Sequence, residues 1–144
     1  MIDTTFISSR LFALLSMLSC IVLGLASRLP GAVASSGKYP GDVLWAAMVF
    51  FGWGLLLPLR PLRQRLVLAL ASAWGIEVLK LWQTPWLVEL RHSILGHLVF
   101  GQVFSWQNLV AYALGILLAV GVMRALEWHS AHHQRLTIRG SHHD

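Results

Sequence analysis

The chain has 144 residues, of which 56% are hydrophobic and only 12% are charged, and its mean hydropathy is +0.65. Soluble domains carry about 25% charged residues, so this composition argues for a membrane protein. The formal net charge of +5 does not predict nucleic-acid binding, because Lys and Arg stand at the ends of apolar runs rather than on one basic face. A single cysteine, Cys20, excludes an internal disulfide.

Four apolar runs predict an all-α fold, an integral membrane four-helix bundle. The predicted spans are residues 11–27, 42–58, 66–82 and 106–126, with a short interfacial or re-entrant helix at 85–95 between spans three and four. Thr84 and Pro85 predict the start of that short helix, and Asp42 stands at the position of an N-cap for span two. Two prolines predict a basic, non-helical turn over residues 58–65.

These spans define a membrane domain over residues 1–127, followed by a polar, His-rich cytoplasmic tail over 128–144 that we expect to be disordered. His129 and His133 have the spacing of a chelating pair on a helix, but no further ligand completes a site, so we predict no metal. A small-residue motif at 32–34 resembles a signal-peptide cleavage site. The preceding apolar run is longer than a usual signal core, so retention of span one is favoured over cleavage.

The positions of Lys and Arg predict the orientation of the four spans, because cytoplasmic loops are enriched in both. One side would hold Arg10, Arg60, Arg63, Arg65, Arg124, Arg135 and Arg139. The other side would hold Arg28, Lys38 and Arg91. This asymmetry predicts that both termini lie in the cytoplasm.

Small residues recur at helical spacing in two spans, which predicts close helix packing. They are Ala13, Ser16, Cys20, Gly24 and Ser27 in span one, and Ala111, Gly115 and Ala119 in span four. Such stripes suit packing within the bundle, a homo-oligomer or a membrane partner.

Glu77 and Lys80 are the most unusual residues, since both fall inside span three. A charged residue near the bilayer centre costs about 3 kcal/mol on insertion scales, so it should face the bundle interior and have a partner. Lys80 lies three residues further on the same face of the helix and is the predicted partner. The pair either holds the helices in register or provides a carboxylate for binding or proton transfer, and the sequence supports both interpretations equally.

The predicted topology also gathers the other unusual polar residues at the outer ends of the helices, which suits a pocket. The candidate binding residues are Arg28, Lys38, Tyr39, Asp42, Glu77, Lys80, Gln83, Arg91, Asn108 and Tyr112. Asp42 fits a helix cap better than a ligand. The tryptophans Trp45, Trp82, Trp86 and Trp106 are more typical of an aromatic belt than of a stacking site. Ser–His–Asp, paired-carboxylate and Gly-rich phosphate motifs are absent from the sequence.

Several of these residues, in this order, resemble a bacterial membrane family known as domain of unknown function 2809. The resemblance rests on the sequence from Lys38 to Asp42, on Glu77, on the segment from Pro85 to Arg91, and on Trp106, Ala111, Tyr112 and Gly115. The resemblance implies a compact helical bundle in a bacterial cytoplasmic (inner) membrane. The family's layout is similar to that of the VanZ-like proteins, which hints at envelope or lipid-linked substrates. Its pattern usually has Gln at the position of Lys80 and Asp at the position of Asn108, so this chain has a more positive pocket.

The leading hypothesis is therefore an extracytoplasmic polar pocket that binds an envelope lipid head group or a lipid-linked sugar, without a cofactor. In this hypothesis Arg28, Lys38 and Arg91 attract phosphate, while Glu77 and Asn108 hydrogen-bond polar groups. One alternative is a membrane enzyme that acts on such a lipid with Glu77 as general base. Another is a structural or assembly subunit that binds its partner through the small-residue stripes.

Overall fold

The computed structural model describes residues 4–28 and 39–140, and all regular structure in these ranges is helical. The predicted all-α class is therefore confirmed for this part of the chain. The helices are α1 (Thr4–Ala26), α2 (Tyr39–Leu56), α3 (Leu62–Leu79), α4 (Pro85–His92), α5 (Ile94–Phe100) and α6 (Trp106–Gly140). The four long helices α1, α2, α3 and α6 coincide with the four predicted spans.

Helix α2 is central, because it contacts α1, α3 and α6, while α3 also packs against α6. The core between them contains the fully buried side chains of Phe50 and Ile116. Indole N–H groups join the helices at two places: Trp53 donates to the hydroxyl of Ser72 at 3.0 Å, and Trp74 donates to the carbonyl of Leu109 at 3.3 Å.

Both small-residue stripes face α2, as close helix packing requires. A Cβ atom added to Gly115 would lie 2.1 Å from the carbonyl oxygen of Val43, so α6 meets the backbone of α2 at a distance that only glycine permits. On α1, the Cβ of Ala13 lies 3.7 Å from the position of a Cβ at Gly54. Residues of both stripes therefore pack against α2 within the chain.

The start of α2 differs from the prediction. Helix α2 already includes Tyr39, the first described residue after the gap at 29–38, so Asp42 is not its N-cap but a buried residue of the helix.

The start of α3 and the division between α4 and α5 also differ from the predictions, and a single residue accounts for each difference. Helix α3 begins four residues early, at Leu62, because Pro61 acts as its N-cap. Thr84 and Pro85 start α4 as predicted. The predicted single helix over 85–95 is instead two helices, since Ser93 has an extended backbone and its hydroxyl accepts a hydrogen bond from the N–H of Gly96 at 3.0 Å.

The C-terminal region also differs, because α6 continues to Gly140 where the sequence predicts a disordered tail. Residues 128–139 contain neither Gly nor Pro, so this stretch has no signal that would end the helix. The side chain of His133 lies outside the described part of the structure, and so do Lys38 and the motif at 32–34.

Two of the described helices are long and apolar enough to cross a membrane, α1 over Ser9–Ala26 and α6 over Trp106–Leu126. The 18-residue helices α2 and α3 do not meet this criterion. Helix α3 includes Arg63, Arg65 and Glu77, and α2 starts with Pro40 and Asp42, which lowers the apolarity of both. Length and composition thus support two of the four predicted spans.

The structure exposes many large apolar side chains and also buries several polar and charged ones, which is unusual for a water-soluble protein. The exposed side chains include large apolar residues along α1 and α6, such as Val22 at 65% and Leu118 at 62% exposure. The buried polar or charged residues are Asp42, Glu77, Lys80, Arg91 and Asn108. This distribution places the polar groups inside the helix bundle.

Candidate functional site

Glu77 is fully buried on α3, and its carboxylate accepts hydrogen bonds from the loop before α6 and from α6 itself. Lys80 Nζ donates to Oε2 at 2.5 Å, and the hydroxyl of Tyr112 donates to the same oxygen at 3.1 Å. The backbone N–H of Ser105 donates to Oε1 at 2.7 Å, and Asn108 Nδ2 lies 3.3 Å from that oxygen. The predicted Glu77–Lys80 pair is confirmed, and the same carboxylate joins α3 to α6.

In front of this carboxylate lies a cavity of about 380 Å³, which we call the polar cavity. It lies at one end of the bundle, because its polar residues follow α1, begin α2, follow α3 and begin α6. It is lined by Arg28, Asp42, Trp45, Lys80, Asn108, Tyr112 and residues 97–103. Glu77 lies behind Lys80, Asn108 and Tyr112, so its role in the structure is to position these three side chains.

The charged groups at the polar cavity are arranged in pairs. Arg28 Nη2 lies 3.9 Å from the carboxylate of Asp42, and the side chain of Arg28 is 41% exposed. Lys80 is only 4% exposed, and it forms the buried pair with Glu77. Each cation at the cavity therefore has a carboxylate neighbour.

Asn108 has one side-chain atom without a partner. Its Nδ2 faces both oxygens of Glu77, at 3.3 and 3.4 Å, whereas its Oδ1 is buried and accepts no hydrogen bond from any described residue. A buried acceptor without a donor is unfavourable by about 1–3 kcal/mol. Since Asn108 lines the polar cavity, a donor from a bound molecule would remove this penalty.

The loop after α5 closes over Lys80 through a glycine. Gly101 has φ +64°, a backbone conformation that favours glycine, and a Cβ at this position would lie 3.1 Å from Lys80 Nζ. Gly101 therefore allows the loop to turn close to the ammonium group.

A second cavity of about 320 Å³ adjoins the polar cavity, and we call it the apolar groove. It lies between α1, α2 and α5 and is lined by Cys20, Ile21, Gly24, Leu25, Arg28, Gly41, Trp45, Met48, Leu95, Leu98 and Val99. Arg28, Trp45, Leu98 and Val99 line both spaces. The half-buried ring of Trp45 packs on Tyr112 with a centroid distance of 5.1 Å at this junction. One molecule with a polar end and an apolar end could occupy the two spaces together.

The structure brings together five of the ten candidate binding residues at the polar cavity: Arg28, Asp42, Lys80, Asn108 and Tyr112. Glu77 lies behind them. Tyr39 and Gln83 are exposed outside the cavity lining, and Lys38 is not among the described residues.

Arg91 has a different position from the one that the sequence indicated. Its guanidinium donates to the carbonyl oxygens of Leu79 at 2.6 Å and Trp82 at 2.9 Å, and it approaches that of Lys80 at 3.5 Å. These carbonyls belong to the last residue of α3 and to the turn that follows it, where the helix no longer supplies all of its own N–H donors. Arg91 is therefore a buried cap of α3 and does not line the polar cavity.

Sequence reasoning missed the contribution of α5 and the loop that follows it. His97 lines the polar cavity, and it is not among the ten candidate binding residues that the sequence indicated. The N–H of Ser105 has no signature in the sequence, because a backbone donor can be supplied by any residue except proline. A glycine such as Gly101 is the kind of signal that could have indicated a turn here.

A family model described as "Protein of unknown function (DUF2809)" matches residues 32–116, which is more than half of the chain. This confirms the family that the sequence resemblance predicted, and the match includes most of the polar cavity. No solved structure matches this chain.

Proposed function

We propose that this chain, which belongs to the DUF2809 family, is a multi-pass membrane protein that binds an envelope lipid head group or a lipid-linked sugar. In this proposal α1, α2, α3 and α6 cross a bacterial cytoplasmic membrane, with both termini in the cytoplasm. The polar cavity then opens to the extracytoplasmic side. The observation that carries the proposal is the continuity of the polar cavity with the apolar groove at Arg28, Trp45, Leu98 and Val99.

Membrane residence is supported by the distribution of side chains. Exposing many large apolar residues to water is unfavourable, whereas lipid contact requires them. The buried polar residues Glu77, Lys80 and Asn108 have hydrogen-bond partners inside the bundle, as residues at membrane depth require. Trp82, Trp86 and Trp106 are exposed near the cavity end of the bundle, which suits an interfacial aromatic belt.

Binding of an amphiphile is supported by the chemistry of the two adjoining spaces. The polar cavity offers the N–H donors of Arg28 and Lys80 and the acceptors of Asp42 and Asn108. The apolar groove offers side chains such as Ile21 and Leu95. A head group therefore matches the first space and an acyl or prenyl chain matches the second.

The alternative of a membrane enzyme with Glu77 as general base has less support. A general base must reach the proton that it removes, and Glu77 lies behind three other side chains and accepts hydrogen bonds from four groups. An assembly subunit is also less supported, because both small-residue stripes contact α2.

Native mass spectrometry of protein purified in a mild detergent tests the proposal. We expect a lipid to co-purify with the wild-type chain and to be lost from Leu98→Trp, since the larger side chain fills the junction of the two spaces. Leu15→Trp is the matched control, because Leu15 lies on the exposed face of α1 at 55% exposure. Equal lipid retention by the two variants would contradict the proposal.

A further inference from the structure

We infer that the head group in the polar cavity is an uncharged polyhydroxyl group, such as a sugar, rather than a phosphate. This inference rests on the proposed function, because it names the ligand class for the same cavity. It follows from the charges at the cavity, from the position of Arg91 and from the buried oxygen of Asn108.

The described charges at the polar cavity balance. Arg28 is paired with Asp42, and Lys80 is paired with Glu77. A phosphate would bring a negative charge beside two carboxylates and would have to compete with each of them for its cation. An uncharged head group brings no such repulsion, so the balanced cavity favours it.

Arg91 is the third described cation that could have attracted a phosphate, but it does not line the polar cavity. Arg91 is 4% exposed and is hydrogen-bonded to the carbonyls at the end of α3. Moving it to a ligand would break the hydrogen bonds to Leu79 and Trp82, and the carbonyl of Trp82 would lose its donor, which is unfavourable. Arg28 is then the one arginine in the described lining of the cavity, and it lies beside the carboxylate of Asp42, whereas phosphate recognition usually relies on an arginine that is free to bind in a bidentate manner.

Asn108 Oδ1 requires a donor from the ligand. The contacts of Nδ2 with both Glu77 oxygens fix the orientation of the amide, because a carboxylate can only accept. A hydroxyl group can donate to Oδ1, whereas a phosphodiester has no donor. Hydroxyl oxygens can also accept from Lys80, whose ammonium carries three N–H groups. A head group with several hydroxyls therefore matches both the donors and the acceptors of the cavity.

Competition between two lipids with the same acyl chains tests the inference. The probes are glucosyl diacylglycerol, which is uncharged, and phosphatidylmethanol, an anionic phosphodiester without a hydroxyl group. They are added in equal amounts to delipidated protein, and the bound species are compared by native mass spectrometry. We expect the wild-type chain to retain the glycolipid about tenfold more than the phospholipid.

Charge variants then separate selectivity from general affinity. Asp42→Asn leaves the cavity with a net positive charge, so we expect the tenfold preference to fall to about unity. Arg28→Gln removes a positive charge at an exposed position, so we expect the preference for the glycolipid over the phospholipid to rise. Glu89→Gln removes a carboxylate on the exposed face of α4, and the preference should stay at the wild-type value.

Two failures are distinguishable in this experiment. If Leu98→Trp lowers the retention of neither lipid, the proposed function fails and the inference fails with it. If Leu98→Trp lowers lipid retention but the wild-type chain prefers phosphatidylmethanol, the proposed function stands and the inference is overturned. An unchanged preference in Asp42→Asn would also overturn it, because the charge balance would then have no effect.

Discussion

At the scale of single residues, Glu77 and Lys80 form one buried pair but depend on each other unequally. Glu77 keeps the donors of Ser105, Asn108 and Tyr112 if the ammonium is removed. Lys80 has no second carboxylate among its described hydrogen-bond partners. Removing Glu77 therefore leaves a buried, uncompensated cation, whereas removing Lys80 leaves an anion that is still hydrogen-bonded.

This asymmetry gives a prediction for stability. Glu77→Gln should lower the free energy of unfolding by about 3 kcal/mol, the usual effect of breaking a buried ion pair from one side, and Lys80→Gln should lower it by less. The double variant should recover part of the loss of Glu77→Gln, because it removes the unpaired cation. Unfolding titrations in mixed micelles measure these values. A larger loss of unfolding free energy in Lys80→Gln than in Glu77→Gln would contradict the inference that Lys80 depends more on Glu77 than Glu77 depends on Lys80.

The sequence predicted part of this residue network. The spacing of Glu77 and Lys80 places both side chains on one helix face, so their contact required only local geometry. The contacts with Ser105, Asn108 and Tyr112 span about thirty residues of sequence and depend on how α6 packs on α3. For the same reason the role of Arg91 was missed, since the position of α4 decides which carbonyls it can reach.

At the scale of elements, the contact between α6 and α2 depends on the absence of a side chain at Gly115. A Cβ there would lie 2.1 Å from the carbonyl oxygen and 2.9 Å from the carbonyl carbon of Val43. Both atoms belong to the backbone of α2 and cannot move without shifting the helix. By contrast, a Cβ at Gly121, further along α6, meets nothing within 4 Å.

Alanine substitutions at these two glycines should therefore have different effects. We expect Gly115→Ala to lower the free energy of unfolding by about 2 kcal/mol, as overpacking of a tight contact usually does. Gly121→Ala should leave the stability unchanged or raise it by about 0.5 kcal/mol, because alanine favours a helix more than glycine does. Thermal unfolding in detergent compares the two, and equal midpoints would show that α6 does not meet α2 at Gly115.

The elements themselves were largely predictable from apolar runs, whereas their ends depended on single residues. The four long helices follow the four runs, because each run is long enough to form several turns. Pro61 shifted the start of α3, and Ser93 divided one predicted helix into two. The extension of α6 beyond Glu127 was missed because a polar composition was interpreted as disorder.

At the scale of the whole molecule, the polar residues converge at one end of the bundle and the apolar residues cover its sides. The positive charges of the turn between α2 and α3 lie at the opposite end from the polar cavity, because α2 and α3 each connect the two ends. If cytoplasmic loops carry the excess of Lys and Arg, the cavity must open on the other side of the membrane. This orientation decides which lipids can reach it.

Labelling of single cysteines in intact bacterial cells tests this orientation most directly. In a Cys20→Ser background, Gln102→Cys reports the lining of the polar cavity and Arg60→Cys reports the opposite turn, and both positions are exposed. We expect a membrane-impermeant maleimide to label Gln102→Cys in intact cells, and to label Arg60→Cys only after the inner membrane is permeabilised. Labelling of Arg60→Cys in intact cells, with Gln102→Cys protected until permeabilisation, would contradict an extracytoplasmic cavity and the function proposed from it.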